Sequence, residues 1–288
     1  MYPREFDYMA PTSIDEAAAA LASNPGAKVM AGGMSLLPLM KMRLFSPETV
    51  VDIGRIPGLG GIDDRGDHIA IGALVRHADT AASPLIAQHG RALAEAASWT
   101  GDTHVRNRGT TCGSMAHADV AADQPAAALA LGASMVAASS SGTREIAAAD
   151  FFVDTLTSAL RSDEILVEMR VPKTGAGEGS AYDKLGRRGG HSDYAVAGAA
   201  AWVKRENGTV TAARIALTGV GSRPTLAAGS TEAIVGSDGS EAAIAAAGDR
   251  AVEGVTVLED LYGSEEYKAH LAKVYVRRAL AKALSRAG

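Results

Sequence analysis

Two glycines and a serine stand close together where the sequence reads Ala31-Gly32-Gly33-Met34-Ser35. Without Cβ atoms, glycines let backbone N–H groups approach an anion and curl around it. A helix starting directly after them adds partial positive charge, and Ser35 adds a hydroxyl donor. The chemistry such a turn suits is phosphate binding. The same residues also suit a plain strand–helix turn that uses glycine for its φ angles. The pattern is neither GxGxxG nor a Walker A loop, so neither of those nucleotide-binding modes is expected.

A second turn reads Arg106-Asn107-Arg108-Gly109-Thr110-Thr111-Cys112-Gly113-Ser114. Thr110, Thr111, Cys112 and Ser114 crowd hydroxyl and thiol groups ahead of a helix, which suits a pyrophosphate or a ribose. A solvated loop is the alternative. Two such turns in one chain fit a dinucleotide, which has two phosphates and two sugar-like chains to hold. A third stretch, 181–195, sets Tyr182, Lys184, Arg187, Arg188 and Tyr194 around the pair Gly189-Gly190. Its composition favours a basic solvated loop, with Tyr194 heading an apolar strand where its ring can lie against a planar ligand.

Other candidates are weaker. His117, Asp119 and Asp123 are spaced i, i+2, i+6, which does not put them on one helix face, so no metal set is expected. Asp119 reads as a helix N-cap. Asp123 reads as a first-turn carboxylate or an acceptor for a ribose hydroxyl. Cys112 reads as a small residue packed in a turn. Neither GxSxG nor HExxH occurs, which leaves serine hydrolases of that type and zincins without support.

The whole chain narrows the choice further. It has 288 residues, one cysteine and a net charge of −5. One cysteine forms no internal disulfide and ligates no iron–sulfur cluster unaided. The acidic balance argues against a nucleic-acid partner. No stretch approaches the roughly 18 apolar residues of a spanning helix. The first residues lack the apolar run of a signal peptide, so the cytoplasm is the expected compartment.

The elements that must position these turns are legible. Ser13 and Glu16 form a capping box for an Ala-rich helix ending at Asn24-Pro25-Gly26. A short strand at 27–31 runs into the first glycine turn. A short helix with Leu36, Leu37, Leu39 and Met40 follows, then a strand at 49–53, making a small βαβ-like lobe. The chain restarts with an apolar strand at His68. One helix is expected from Pro84 to about Ser98, another over 119–131, and strands at 133–138 and 164–171. A strand and a short helix fit 146–152. Residues 173–179 read as a turn-rich linker. Beyond it come strands at 194–204 and 209–218, joined by a hairpin at Glu206-Asn207-Gly208. Helices are expected at 231–235, 241–255 and 265–287. The order is not a clean βαβαβ series, which counts against a Rossmann fold.

These residues resemble the FAD-binding medium subunits of molybdenum hydroxylases, the group of aerobic carbon monoxide dehydrogenase and bacterial xanthine and N-heterocycle dehydrogenases. The resemblance rests on AGGMSLLPLMK at 31–41, RNRGTTCGSMAHADVAADQP at 106–125, the opening around 6–13, Tyr182 and Lys184, and GHSDYA at 190–195. It spans essentially the whole chain. The sequence departs from the family pattern at Cys112, where glycine is usual, at Thr111, where Ile or Leu is usual, and at Val120, where proline is usual. The Cys112 side chain is expected to add bulk beside the phosphates.

The resemblance implies an α+β fold. A two-lobed FAD-binding domain of the vanillyl-alcohol-oxidase (PCMH) type would span 1–175, with lobes at about 1–57 and 58–175. A C-terminal α+β domain of the CO dehydrogenase flavoprotein type would span 176–288. It implies that Ala31, Gly32, Gly33, Met34 and Ser35 hold the pyrophosphate and that Thr110, Gly113 and Ser114 form a second wall. Asp123 would hold a ribose or adenine-side hydroxyl, Lys184 would lie near the flavin's pyrimidine edge, and Tyr194 would border the isoalloxazine face. No residue of this chain is implied as a catalytic acid or base. Electrons would come from 2Fe-2S clusters on a small iron–sulfur partner and a molybdopterin cofactor on a large partner, within a dimer of heterotrimers. FAD would pass them to an external acceptor. A self-contained FAD-dependent oxidoreductase is the alternative, and it would need an acid/base pair that the C-terminal third does not display.

Overall fold

A computed structural model describes residues 2–188 and 193–288. The first lobe is a parallel sheet in the order Asp7–Met9, Thr49–Asp52, Lys28–Met30. Helix Ile14–Ser23 packs its alanines and Leu21 into the core. The capping box forms in part. Ser13 Oγ accepts from Glu16 N at 3.1 Å, while the Glu16 carboxylate reaches back to Thr12 N rather than to the cap residue. Parallel pairing of Lys28–Met30 and Thr49–Asp52 needs a crossover, and helix Leu36–Lys41 supplies it. The first glycine turn is therefore the mouth of a βαβ unit.

The second lobe is built on an antiparallel sheet ordered Ile62–Asp64, His68–Gly72, Ile165–Pro172, Ser134–Ser139, Gly142–Ala147. The strand at Ile62–Asp64 has no clear alternation in the sequence and was not expected. The helix expected from Pro84 to Ser98 is two helices, Pro84–His89 and Arg91–Trp99. Gly90 lies between them and ends the first. The helix expected from Asp119 begins at Asp123 and runs to Leu131. Asp119 instead closes a turn, its Oδ1 accepting from Ala121 N at 2.8 Å.

The C-terminal sheet pairs Glu178–Gly186, Ala195–Glu206, Thr209–Thr218 and Thr225–Leu226 in antiparallel order. The 181–188 stretch is thus mostly a buried strand, not a solvated loop. Its two faces have separate duties, because side chains alternate along a strand. Ala181, Ala201 and Ile215 are cross-strand neighbours that pack with helix Glu265–Arg286. Tyr182, Ala200 and Ala216, also in register, join the core shared by the first two lobes. The next row on that face is Lys184, Gly198 and Thr218, and Thr218 Oγ1 donates to Val120 O and Ala122 O. The C-terminal sheet therefore uses one face as its own core and the other as the seam to the first two lobes. Among the described residues, no helix is long and apolar enough to cross a membrane.

Candidate functional site

The two glycine turns meet back to back. A Cβ built on Gly32 would collide with the Arg108 carbonyl and lie 2.7 Å from Gly109 Cα. Only glycine permits that approach. Gly33 has φ +73°, the left-handed region, which turns the chain from the strand toward helix Leu36–Lys41. Among the described residues, no backbone acceptor pairs with the N–H groups of Gly32, Gly33, Met34 or Ser35. Ser35 is the N-cap of the helix, yet its hydroxyl makes no capping bond. Four N–H groups without a backbone acceptor, on partly exposed residues and beside a spare hydroxyl, suit an anion. Ala31 lies at the strand end just before them.

The second turn is organised differently from the expectation. Thr110 is the N-cap of helix Thr111–His117, and its Oγ1 accepts from Gly113 N at 3.1 Å. Thr111 Oγ1 is buried and bonded to Thr80 Oγ1 at 2.6 Å. The Cys112 thiol points at the second-lobe sheet, with Ile71 O at 3.5 Å and Gly72 O at 3.7 Å. Three of the four hydroxyl or thiol groups thus face inward, and Ser114 remains partly exposed beside Gly113. The bulk expected at Cys112 is spent against the sheet and not against the turn. Burial pushes the thiol up to about 12, so it is not a thiolate nucleophile. Cys112 should accordingly resist a thiol reagent in the native chain and react only on unfolding. Rapid native labelling, followed by mass spectrometry, would contradict that.

Behind the second turn lies a buried polar network that sequence reasoning missed. His77 N–H donates to Gly109 O at 3.0 Å, and a Cβ on Gly109 would come within 2.8 Å of His77 Nε2. Gln124 Nε2 donates to His77 Nδ1 at 2.7 Å and to Thr100 Oγ1 at 3.1 Å. Burial, reinforced by the Arg106 charge, lowers the His77 pKa to about 4. Nothing in the sequence flagged this lone histidine. Its neutral form makes stability pH-dependent. Between the unfolded value of about 6.5 and the folded value of about 4, only the unfolded chain takes up the proton, so stability falls as pH drops through that window. The full loss is roughly 3 kcal/mol, and His77→Gln should flatten it. Parallel acid dependence in both proteins, measured by denaturant unfolding, would refute this.

Asp123 and Lys184 are not separate contacts to a ligand. Asp123 is 3% exposed. Its Oδ1 accepts from Tyr182 Oη at 2.6 Å, and Lys184 Nζ lies 2.7 Å from Oδ1 and 2.9 Å from Oδ2. Both carboxylate oxygens thereby have partners within the chain. The Lys184 side chain is fully buried and also donates to Trp99 O and to Asp193 O. Burial raises the Asp123 pKa, and Lys184 opposes that shift. Through Asp193 O, Lys184 anchors the residue before Tyr194. Tyr194 itself is 42% exposed, at the start of strand Ala195–Glu206. The segment 189–192, which includes Gly190 of the third motif, lies outside the described residues.

The model of the FAD binding domain in molybdopterin dehydrogenase matches residues 4–174, and that of the CO dehydrogenase flavoprotein C-terminal domain matches residues 180–283. The chain belongs to the FAD-binding medium subunits of the molybdenum hydroxylase family. Among these medium subunits, the carbon monoxide dehydrogenase medium chain of Hydrogenophaga pseudoflava is 40% identical, with 99% of each chain covered. The 6-hydroxypseudooxynicotine dehydrogenase complex subunit alpha of Paenarthrobacter nicotinovorans is 41% identical, covering 100% of this chain and 97% of that one. A solved carbon monoxide dehydrogenase structure from Hydrogenophaga pseudoflava superposes with a TM-score of 0.95 at 41% identity, covering 99% of each chain. The two-domain medium-subunit fold is therefore that of this chain. Its FAD-binding domain contains both glycine turns. The open donors at Gly32–Ser35 and the close approach that only glycine allows fit the diphosphate of that cofactor. The relatives are dehydrogenases, and this chain is the FAD subunit of an oxidoreductase complex.

Proposed function

We propose that this chain receives electrons from a small iron–sulfur partner and passes them to an external acceptor through its FAD, while the substrate is oxidised on a large molybdopterin-bearing partner. The carrying observation is the pair of apposed glycine turns with unpaired N–H groups. Asp123 and Lys184 neutralise each other in the core, and His77 is held neutral. Neither is placed to take a proton from an organic substrate.

In this reading Gly32, Gly33, Met34 and Ser35 bind the cofactor's diphosphate through backbone N–H groups. Ala31 lets the strand end against it. Gly113 and Ser114 form the facing wall, and Thr110 keeps that wall in place as a cap. Lys184 holds the backbone at Asp193, which aims Tyr194 at the ring system. FAD, when bound, accepts electrons singly and releases them in pairs, and the surrounding dipoles set its potential. Relatives bearing the names of N-heterocycle and carbon monoxide dehydrogenases favour such a substrate for the whole complex. The reading predicts that the isolated chain takes up one FAD yet oxidises neither carbon monoxide nor a pyridine substrate with a dye acceptor. Turnover by the isolated chain would contradict it.

A further inference from the structure

Arg187 lies between two tyrosine rings. Its guanidinium carbon is 5.1 Å from the Tyr194 ring centroid and 4.2 Å from that of Tyr262. Both distances are within cation–π range. Its Nε is buried and has no hydrogen-bond partner among the described residues, and its charge reaches the Asp260 carboxylate beside Tyr262. The Arg187 N–H also donates to Tyr194 O at 3.0 Å.

Tyr262 belongs to the C-terminal domain and sits on a braced turn. Its N–H donates to Asp260 Oδ1 at 2.8 Å, and Asp260 and Gly263 form a bridge. The buried Lys268 ammonium lies 2.8 Å from Asp260 Oδ2 and 3.0 Å from Gly219 O. Gly219 N in turn donates to Val120 O at 2.7 Å, in the turn just before helix Asp123–Leu131. The turn that carries Tyr262 is thereby linked, through Lys268 and Gly219, to Val120 of the FAD-binding domain. Yet 45% of Tyr262 remains exposed, as does 42% of Tyr194.

We infer that Arg187 is a positioning residue: clasped against Tyr262, it fixes the ring of Tyr194, so the C-terminal domain sets how closely an electron acceptor approaches the cofactor's ring system. The inference rests on the reading that Tyr194 borders the flavin. Arg187→Leu removes the cation and keeps much of the bulk. Arg187→Lys keeps the charge.

The test uses the FAD-loaded chain. Tyrosine held against a flavin quenches its fluorescence. Arg187→Leu and Tyr262→Leu should therefore raise the fluorescence of bound FAD by about threefold, a change on the scale of one cation–π contact. FAD content should stay at one per chain, and Arg187→Lys should remain near wild type. Unchanged fluorescence in Arg187→Leu, beside a rise in Tyr194→Leu, overturns the inference and spares the site reading. Unchanged fluorescence in Tyr194→Leu overturns both. A second measurement needs no cofactor. Nitration of Tyr194 by tetranitromethane in the ligand-free chain should speed up about threefold in Arg187→Leu, as the ring loses its clasp. An unchanged nitration rate also overturns the inference.

Discussion

Gly32→Ala should lower FAD affinity by at least about 100-fold while leaving the apo chain folded, since a factor of ten corresponds to about 1.4 kcal/mol. The added methyl has no place to go, because backbone atoms of Arg108 and Gly109 already occupy the position. Backbone cannot rotate aside as a side chain does, so the two glycine turns must separate. Overpacking of this kind costs about 1–3 kcal/mol in stability. The separation falls on the surface where the open N–H groups of residues 32–35 converge. Gly33→Ala is the informative comparison. The atoms nearest its methyl are all in flexible side chains, Leu37 Cδ1 at 3.0 Å, Leu37 Cγ at 3.3 Å and Met30 Sδ at 3.5 Å. Its cost is mainly the left-handed backbone, about 1–2 kcal/mol. Gly32→Ala should therefore be the more damaging to FAD binding, although Gly33 has the less usual backbone. Isothermal titration with FAD measures both. Equal affinities for Gly32→Ala and wild type would remove the diphosphate cradle from this turn.

The second large effect concerns the seam between the domains. Lys184→Met should destabilise the chain by about 3–5 kcal/mol, because it leaves the Asp123 carboxylate buried without its counter-charge. Asp123→Asn strands the ammonium in the same way and should cost a similar amount. The double variant should be less damaging than the sum of the two, since neither residue then leaves a bare charge behind. The recovery is the coupling energy of the pair. Tyr182 supports this, as its hydroxyl already satisfies one lone pair of Asp123. Because Lys184 also holds Asp193 O, the single variant should loosen Tyr194 and weaken FAD binding as well. Urea unfolding of the four proteins gives the cycle. Strict additivity would show that the two residues act independently.

Much of the fold was legible because its signals are local. The Ser13 cap, the Asn207-Gly208 hairpin and the strand Thr209–Thr218 each depend on a few adjacent residues. Long helix Glu265–Arg286 was read to within one residue at its end. Misplaced elements share a different cause. Alanine suits a helix wherever it falls, so an Ala-rich run conceals both the break at Gly90 and the late start at Asp123.

The site divides along the same line. Gly32 and Gly33 announce themselves by type and spacing. Thr110 through Cys112 announce only hydroxyls and a thiol, and tertiary packing decides which way they face. Composition made 181–188 look like solvated basic loop. In the fold Lys184 is buried by Asp123, a partner 61 residues away in sequence. A charged residue with a distant buried partner leaves no local trace. The same applies to His77, whose partners Gly109 and Gln124 come from two other segments, and to Arg187, clasped by a tyrosine from the other end of the C-terminal domain.

The central claim is that this chain is one station in an electron path whose other stations lie on partners. A single cysteine, buried against the second-lobe sheet, cannot furnish clusters here. The most direct measurement is flavin and metal analysis of the complex captured through a tag on this chain in its native host. The account predicts FAD on this polypeptide, with molybdenum and iron on two others present in equal amount. A flavin-loaded chain isolated with no metal-bearing partner, and active by itself, would contradict it.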